Sequence, residues 1–589
     1  MTAVDAQMAV MAKGRKAQSA GTRFGRRRFL ETVPGIVASA AALTAPAGAA
    51  QGAPIPAARN ALPAAETLIG LEFTDADRDA MAAAVARNTE HYRTLREVDV
   101  PHDVDPAPTF HAHLPAQRPR AGATPNAKLA TSRPATVSVR ESIETLAFEP
   151  VTVLAALIER RAITSTALTR MYLARLKRQG SALNCVVTLT EDLALSQAAT
   201  ADRELSAGRR RGPLHGIPWG AKDLFATRGI PTTWGARPFE RQMLDVDATV
   251  VERLRDAGAV LVAKLALGAL ARGGVWFGGN VRNPWNLQRT INASSAGPGA
   301  ATAAGLVPFA LCSETRGSII STATPLGVTG LRPTFGRVSR FGAMIASWTM
   351  DKVGCMCRSV EDCALVLNAI YGPDDRDDTV VDAPFVWSPS ASLKGLRVAY
   401  VRTEFDEPPG IASAEERRSW PAWRPVWKAA LDAFRTAGAA LEPIDLPSFP
   451  AEALQVIQEA ESAAAFDDET RNRRIDLVDA GSTSASFRAA RFIPAVEYLR
   501  AQRARRLLMR EMDRVMTKWD AFLSPPRSDS LTITSFTGHP ALVFNAGFAN
   551  DMPISVMVTG KLYDEATVLR VGLAFQRATT WHTMHPKLG

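Results

Sequence analysis

Residues 291–340 read INASSAGPGAATAAGLVPFALCSETRGSIISTATPLGVTGLRPTFGRVSR, and the rest of the chain is organised around this segment. Small residues crowd it, two serines stand together at Ser294 and Ser295, and another follows an apolar run at Ser318. The run 306–311 predicts a buried strand that delivers Ser318 to a turn at its carboxyl end, where α/β proteins place their chemistry. Because small residues let backbone N–H groups converge, this turn can supply a nucleophile together with an oxyanion hole.

A serine nucleophile needs a base, and histidine is scarce around this stretch. The chain has eight histidines, most of them toward its ends, and we interpret His539 as a structural turn residue. A buried lysine can act as a base when burial lowers its pKa enough to leave it neutral. Lys222 stands in GPLHGIPWGAKDLF, an apolar stretch with glycine and proline that predicts a strand ending in a tight turn. Lys222 is therefore the candidate base.

These residues resemble the amidase signature family, whose catalytic unit is a Ser-cisSer-Lys triad. The similarity covers roughly residues 145–585 and rests on the segments GPLHGIPWGAKD, SSAGPGAATAAG, SETRGSI, GVTGLRPTFGRVSRFGA and DKVGCMCRSVEDCALVLNAI. It implies that Ser318 is the nucleophile, Lys222 the base and Ser294 the bridging serine, held on a cis peptide. Ser294 precedes Ser318 by 24 residues, the spacing that the family keeps. Ser295 would support the proton relay.

The nucleophile segment departs from the family pattern in two places. Paired glycines usually precede the paired serines, where this chain has Asn292-Ala293. The family's Asp-x-Gly-Gly-Ser is replaced by ETRGS at 314–318, which puts Arg316 at a glycine position. A backbone N–H survives any substitution except proline, so we expect altered specificity rather than lost activity. The N–H groups implied to form the oxyanion hole are those of Thr315, Arg316, Gly317 and Ser318.

Helices and short apolar strands alternate beyond Glu144, which predicts an α/β fold with a largely buried mixed sheet. The resemblance implies the amidase-signature fold, a mixed, twisted central sheet of about eleven strands flanked by helices on both faces. We predict three parts: an export signal over 1–49, an N-terminal helical and proline-rich extension over 50–144, and the amidase-signature domain over 145–589. In the extension, Thr74 precedes a predicted helix, and residues 101–140 are interpreted as an extended arm around the main domain or as a linker.

The first 49 residues predict a twin-arginine export signal. Arg26-Arg27-Arg28 precede an apolar run over 33–45 and the small residues Ala47-Gly48-Ala49. The run is too short to span a bilayer, so we expect a bacterial periplasmic or secreted protein without a stable membrane span, carried by the twin-arginine machinery. A disordered basic tail is the alternative. This segment holds seven basic and two acidic residues, which is half of the chain's +10 charge.

The remaining composition argues against several other classes of protein. There is no Lys/Arg stripe interleaved with aromatic residues, no zinc-finger spacing and no P-loop, so nucleic-acid binding is not expected. The odd count of five cysteines gives no disulfide framework. Cys355 and Cys357 have no neighbouring histidine, and Cys312 lies in an apolar run, so we interpret them as buried small hydrophobes. No metal or other cofactor is expected.

The predicted function is hydrolysis of a carboxylic amide C–N bond through a serine acyl-enzyme, with a small-molecule amide and water as partners. Three alternatives remain. An esterase or peptide amidase would use the same triad. The amide-transferring subunit of a tRNA-dependent amidotransferase shares the same core, although the export signal argues against it because charged tRNA is cytosolic. A catalytically inactive binding protein on this scaffold is the third alternative.

Overall fold

The computed structural model describes residues 55–101, 104, 106–108, 129–132, 142–390, 392–409, 412–478 and 482–588. The predicted export signal over 1–49 lies outside the described residues. The chain divides into Met1–Ala57, of which the structure describes only the first three residues of a helix, and a unit formed by Ala58–Gly589. The following concerns the second unit.

Within the described residues, eleven strands form one mixed sheet in the order β1-β3-β2-β8-β10-β9-β14-β15-β13-β11-β12, and β4-β5 and β6-β7 form two small pairs. The strands are β1 (Val186–Leu189), β2 (Pro218–Lys222), β3 (Val260–Leu265), β4 (Val275–Trp276), β5 (Gly279–Asn280), β6 (Arg282–Asn283), β7 (Asn286–Thr290), β8 (Phe309–Glu314), β9 (Thr329–Arg332), β10 (Lys352–Cys357), β11 (Val398–Val401), β12 (Leu441–Ile444), β13 (Ala521–Ser524), β14 (Ala541–Ala549) and β15 (Met552–Gly560). The predicted fold class is therefore confirmed.

Helices cover the sheet and extend beyond it. They are α1 (Ile55–Ile69), α2 (Asp75–Glu97), α3 (Val151–Glu159), α4 (Ser165–Leu183), α5 (Glu191–Ser206), α6 (Thr249–Asp256), α7 (Ala296–Ala303), α8 (Ile320–Ala323), α9 (Val360–Ile370), α10 (Arg402–Asp406), α11 (Ala414–Thr436), α12 (Gln455–Ala465), α13 (Asp467–Arg471), α14 (Ser482–Ala490), α15 (Ala495–Lys518), α16 (Asp529–Thr537) and α17 (Glu565–Ala578). No described helix combines the length and apolarity needed to cross a bilayer.

The interior strand β8, fourth in the sheet order, is buried on both of its faces. Phe309 and Leu311 belong to one hydrophobic cluster, whereas Ala310 and Cys312 belong to the other. Successive side chains of a strand point to opposite faces, so helices must cover both faces of the sheet. This packing explains why the first four residues of β8 are apolar, and it confirms that Cys312 is a core residue.

Strand direction brings the candidate residues to one edge of the sheet. β2 and β8 are parallel neighbours, with Gly220 beside Ala310 and Ala221 beside Leu311. Their carboxyl ends therefore lie at the same edge, where β2 ends on Lys222 and β8 leads into the serine turn. β10 runs antiparallel beside β8 and begins at this same edge.

Several predicted boundaries were wrong for physical reasons. The strand expected over 306–311 lies at Phe309–Glu314, because residues 304–308 form the buried connection after α7 and are apolar without being a strand. α11 begins at Ala414, whereas the residue pattern alone predicts a helix only over 427–437. Pro421 and Pro425 within that helix hid its first half, since proline normally ends a helix. The predicted helix start after Thr74 is confirmed by a capping box with Asp77.

Described parts of the proline-rich arm lie against the main domain. Arg503 donates to the carbonyl oxygen of Val104 at 2.8 Å, and Arg506 donates to that of Ala107 at 3.0 Å. Further along, the amide of Ala130 donates to the carbonyl of Trp387 at 3.3 Å. Carbonyls of an irregular segment need donors, and the arginines of α15 supply them.

A fully buried ion pair supports the serine turn. Arg332 Nη1 lies 2.8 Å from Glu314 Oε1, and both side chains are entirely buried. The other carboxylate oxygen of Glu314 accepts the amides of Ile319 at 2.8 Å and Ile320 at 2.9 Å. Burial alone would raise the pKa of Glu314, but the charges of Arg332 and Lys352 and these hydrogen bonds hold it below its usual value. The residues that follow Ser318 are therefore tied to the end of β8.

We expect Glu314→Ala to lower the free energy of unfolding by about 3–5 kcal/mol, because it leaves the Arg332 guanidinium buried without a counter-charge. Urea denaturation measures this loss. The matched control is Glu511→Ala, which removes an exposed pair with Arg514 and should cost less than about 1 kcal/mol. Equal losses in the two variants would show that the buried pair contributes nothing special.

Candidate functional site

Three side chains from separate parts of the chain form one hydrogen-bonded path. Lys222 Nζ lies 2.9 Å from Ser294 Oγ, and Ser294 Oγ lies 2.8 Å from Ser318 Oγ. Hydroxyl hydrogens rotate, so the same contacts allow a proton to pass from Ser318 toward Lys222. The structure therefore brings together the three residues that the sequence nominated.

Lys222 is completely buried and surrounded by hydroxyl groups. Its Nζ also lies 2.9 Å from Ser295 Oγ and 3.1 Å from Ser313 Oγ. Burial lowers the pKa of Lys222 to about 8, although Cys312, Asp351 and Glu314 act in the opposite direction. A lysine with this pKa has a useful neutral fraction near neutral pH, as a general base requires. Sequence reasoning found Ser295 but missed Ser313, which is adjacent to the nucleophile turn.

Small residues of α7 allow the paired serines to reach Lys222. Every residue of Ala296–Ala303 is buried. A Cβ on Gly297 would lie 2.4 Å from the carbonyl oxygen of Ala266, and one on Gly299 would lie 2.5 Å from Leu326. Larger residues would push the helix away from the sheet. The crowding of small residues in the sequence thus reflects close packing that holds Ser294 and Ser295 in place.

The cis peptide implied for Ser294 is absent, since the structure has no cis peptide bond among the described residues. A trans bond is favoured by about 3–4 kcal/mol for any residue other than proline. The Ser294 hydroxyl makes both of its relay contacts in this trans geometry. The expected cis conformation was therefore wrong for this structure.

The four amides nominated for the oxyanion hole have no protein acceptor. Within the described part of the chain, the N–H groups of Thr315, Arg316, Gly317 and Ser318 make no hydrogen bond. All four residues line one cavity. Gly317 has a φ of 91°, and a Cβ there would lie 2.7 Å from Ser321 Oγ. The turn therefore requires glycine at position 317. In this conformation the backbone N–H groups of the turn are free to bind an oxyanion.

Polar side chains beneath the turn fix its backbone. Asp351 accepts a hydrogen bond from Thr315 Oγ1 at 2.6 Å and so acts as a structural acceptor. Lys352 Nζ donates to the carbonyl of Thr315 at 3.2 Å. Burial lowers the pKa of Lys352 to about 7, and nearby Arg332 acts in the same direction. The sequence analysis missed Lys352, although a lysine at the start of an apolar strand could have signalled it.

Arg316 extends from the turn to the residues that precede and begin α12. Its Nη1 donates to Glu452 Oε2 at 2.6 Å, and its Nη2 donates to Gln455 Oε1 at 3.4 Å. The side chain is bound on one side of the cavity, so the residue that replaces a glycine does not fold back over Ser318. Arg316 therefore alters the wall of the pocket and leaves Ser318 accessible, as expected for a change in specificity rather than a loss of activity.

The cavity above Ser318 has a volume of about 790 Å³. That volume is within the range of small-molecule binding pockets. Trp420, Trp423 and Trp427 of α11 line one part of it, with adjacent ring centroids 4.7–5.9 Å apart. Gln455 and Glu459 of α12 line another part. The pocket thus combines an aromatic wall with a polar one.

Two other predicted groups lie outside this path. His539 is buried and its Nδ1 contacts Thr537 Oγ1 at 2.7 Å, while burial lowers its pKa to about 3. The sulfurs of Cys355, Cys357 and Cys363 lie within 4.8 Å of one another in the hydrophobic core. The turn between β10 and α9 brings Cys363 back to the strand, a proximity that the sequence did not predict.

Comparisons with known proteins agree with this arrangement. A family model described as Amidase matches residues 167–530. A glutamyl-tRNA(Gln) amidotransferase subunit of Methylococcus capsulatus is 35% identical over 483 residues, covering 74% of this chain and 97% of that protein. The native peptide amidase from Stenotrophomonas maltophilia is 29% identical, with a TM-score of 0.64, and the match covers 74% of this chain and 97% of that one.

A third relative is a chain from a vestigial protein complex, reported to reveal the evolutionary origins of an s-triazine catabolic enzyme. It is 28% identical with a TM-score of 0.66, and the match covers 74% of this chain and all of that one, 100%. The matched family region includes both ends of the Lys222–Ser318 path, and the sheet has the expected eleven strands. On these grounds the chain belongs to the amidase signature family.

Proposed function

We propose that this protein cleaves a carboxylic amide C–N bond through an acyl-enzyme formed on Ser318. The observation that carries the proposal is the unbroken path from Ser318 through Ser294 to a buried lysine, on the wall of a substrate-sized cavity. Membership of a family of enzymes that act on C–N bonds supports it. The unpaired amides of the nucleophile turn supply the charge stabilisation that such a reaction needs.

In the proposed reaction, neutral Lys222 takes a proton from Ser294, which takes one from Ser318. The Ser318 oxygen then forms a bond to the amide carbonyl carbon, and the carbonyl oxygen becomes an oxyanion held by backbone N–H groups of the turn. Collapse of this intermediate breaks the C–N bond. The leaving nitrogen receives the proton back from Lys222 through Ser294 and departs as ammonia or an amine.

Water completes the cycle in the hydrolytic form of this proposal. It transfers a proton along the same path to Lys222 and attacks the acyl-enzyme carbonyl. The bond to Ser318 Oγ breaks, the acid is released, and Ser318 regains its proton. An ester could enter by the same chemistry, so an esterase or peptide amidase remains within this proposal.

A second candidate is the amide-transferring component of a tRNA-dependent amidotransferase. The match to the glutamyl-tRNA(Gln) amidotransferase subunit over nearly all of that protein favours it over the stand-alone hydrolase predicted from the sequence. In that case released ammonia would pass to a glutamyl-tRNA acceptor and other subunits would be needed. The aromatic wall formed by Trp420, Trp423 and Trp427 supports the hydrolase, because indole rings favour a larger apolar acyl group.

Export by the twin-arginine pathway also remains a proposal, supported by the order of arginines, apolar run and small residues in 1–49. It bears on the choice between the two candidates. A periplasmic or secreted protein would not meet charged tRNA, whereas a protein retained in the cytoplasm could.

The first test measures ammonia or amine release from aryl, short aliphatic and peptide amides and from glutamine. We expect Ser318→Ala to lower kcat by at least about a thousandfold, because it removes the hydroxyl that forms the acyl bond in this proposal. Ser196→Ala, an exposed serine on α5, is the matched control and should keep the wild-type rate. Equal traces in wild type and Ser318→Ala, with binding retained, would favour an inactive scaffold. Turnover confined to glutamine would favour the amidotransferase.

The pH dependence tests the base. Lys222 must be neutral to accept a proton, so kcat/KM should rise about tenfold per pH unit up to about pH 8 and then level off. Steady-state kinetics between pH 6 and 10 measure this limb. Lys352 also titrates in this range, so Lys352→Met provides the control. A limb that disappears in Lys352→Met but persists in wild type would assign the titration to Lys352 and contradict the role given to Lys222.

Cell fractionation tests export. In a bacterium with twin-arginine machinery, we expect the wild-type chain in the periplasm or medium and a variant with Arg26, Arg27 and Arg28 all changed to Lys in the cytoplasm. Changing Arg15 and Arg23 to Lys keeps the charge and the arginine cluster, and it should leave export intact. The same distribution for all three proteins would contradict a twin-arginine signal.

A further inference from the structure

We propose that helix α2 of the N-terminal extension supports the active-site wall from outside the cavity and that Arg87 on this helix is a positioning residue for the nucleophile turn. α2 precedes residue 167, where the matched family region begins. This inference rests on the proposed function, because the turn that it concerns carries Ser318 and the oxyanion donors. Under this proposal the extension, which lies outside the family match, helps to position the nucleophile turn.

A continuous series of polar contacts leads from α2 to the turn. Arg87 Nη2 lies 2.9 Å from Glu459 Oε1. The same oxygen accepts a hydrogen bond from Gln455 Nε2 at 2.8 Å. The other end of the Gln455 amide accepts from Arg316 Nη2 at 3.4 Å. Arg316 stands two residues before Ser318, and Gln455, Glu459 and Arg316 all line the cavity.

Glu459 needs the charge of Arg87. Its side chain is only 5% exposed, and among the described residues Arg87 forms its ion pair. A buried carboxylate that loses its cation must take up a proton or attract another cation. Two groups that can carry positive charge lie near it: His91 on α2, and Arg316, which is held by Glu452 and by Gln455, a direct partner of Glu459. Removal of Arg87 would therefore disturb the hydrogen bonds from Arg316 to Gln455 and from Gln455 to Glu459, which hold the nucleophile turn.

Contacts elsewhere dock α2 without Arg87. At its start, Asp77 pairs with Arg473 and Arg488, each at 3.0 Å. At its end, Arg500 donates to the carbonyl oxygen of Leu95 at 3.0 Å. Tyr92 also packs in a hydrophobic cluster with residues next to and within α12, namely Leu454, Val456 and Ile457. Because these contacts remain, substitution of Arg87 tests positioning rather than docking.

The central experiment compares Arg87→Ala with Arg93→Ala, which removes an exposed pair with Glu90 on the same helix. We expect Arg87→Ala to lower kcat about tenfold while KM changes less than about twofold, because the contacts end on the turn that stabilises the transition state. The melting temperature should stay within about 2 °C of wild type for both variants. Arg87→Lys, which keeps the charge, should recover most of the rate. Identical kinetics for Arg87→Ala and Arg93→Ala would overturn the proposal.

A double-mutant cycle tests whether Arg87 acts through Glu459. Glu459→Gln removes the negative charge and keeps the size of the side chain. In that background Arg87→Ala should have almost no further effect on kcat, since the two residues form one pair. Fully additive losses would show that Arg87 acts by another route and would overturn the proposed path.

Labelling of Ser318 by a fluorophosphonate probe separates failure of this inference from failure of the proposed function. The probe reports the reactivity of the nucleophile without a known substrate. If wild type is neither labelled at Ser318 nor active on any amide, the proposed function fails and this inference fails with it. If wild type is labelled and Arg87→Ala is labelled at the same rate, this inference alone is wrong. We expect labelling of Arg87→Ala to be about tenfold slower.

Discussion

The site depends on the buried carboxylate of Glu314. It stands at the end of β8, binds Arg332 through one oxygen, and accepts hydrogen bonds from two backbone amides through the other. A single charged group thereby fixes both the strand that precedes the nucleophile and the chain that follows it. Burying two charged side chains costs free energy, and this cost is offset only when both of them keep all their hydrogen-bond partners. Substitution of either Glu314 or Arg332 should therefore be poorly tolerated.

Two buried lysines at this edge of the sheet, Lys222 and Lys352, have different roles. Lys222 and Lys352 are both enclosed and both have a lowered pKa, yet their partners differ. Lys222 meets serine hydroxyls, which can exchange protons with it, whereas Lys352 meets carbonyl oxygens, which can only accept. The first arrangement suits a proton relay and the second suits support of the backbone. Hydrogen-bond partners, rather than pKa alone, distinguish the two lysines.

The site was more predictable from sequence than its surroundings. Lys222, Ser294 and Ser318 stand in short segments whose small residues leave few packing choices, and the structure brings them together. The trans peptide at Ser294 could not be read from residue types, because both isomers present the same side chains. Lys352 and Ser313 were missed because their roles depend on the register between β8 and β10. The first half of α11 was missed because two prolines are tolerated on its surface.

The contacts of the N-terminal arm also bear on the order in which the chain folds. The residues around 95–107 find their partners in α15, about 400 positions later in sequence. A ribosome adding roughly 5–20 residues per second needs about 20–80 seconds to cover that distance. The residues around 95–107 must therefore wait, undocked from α15, until most of the chain has emerged.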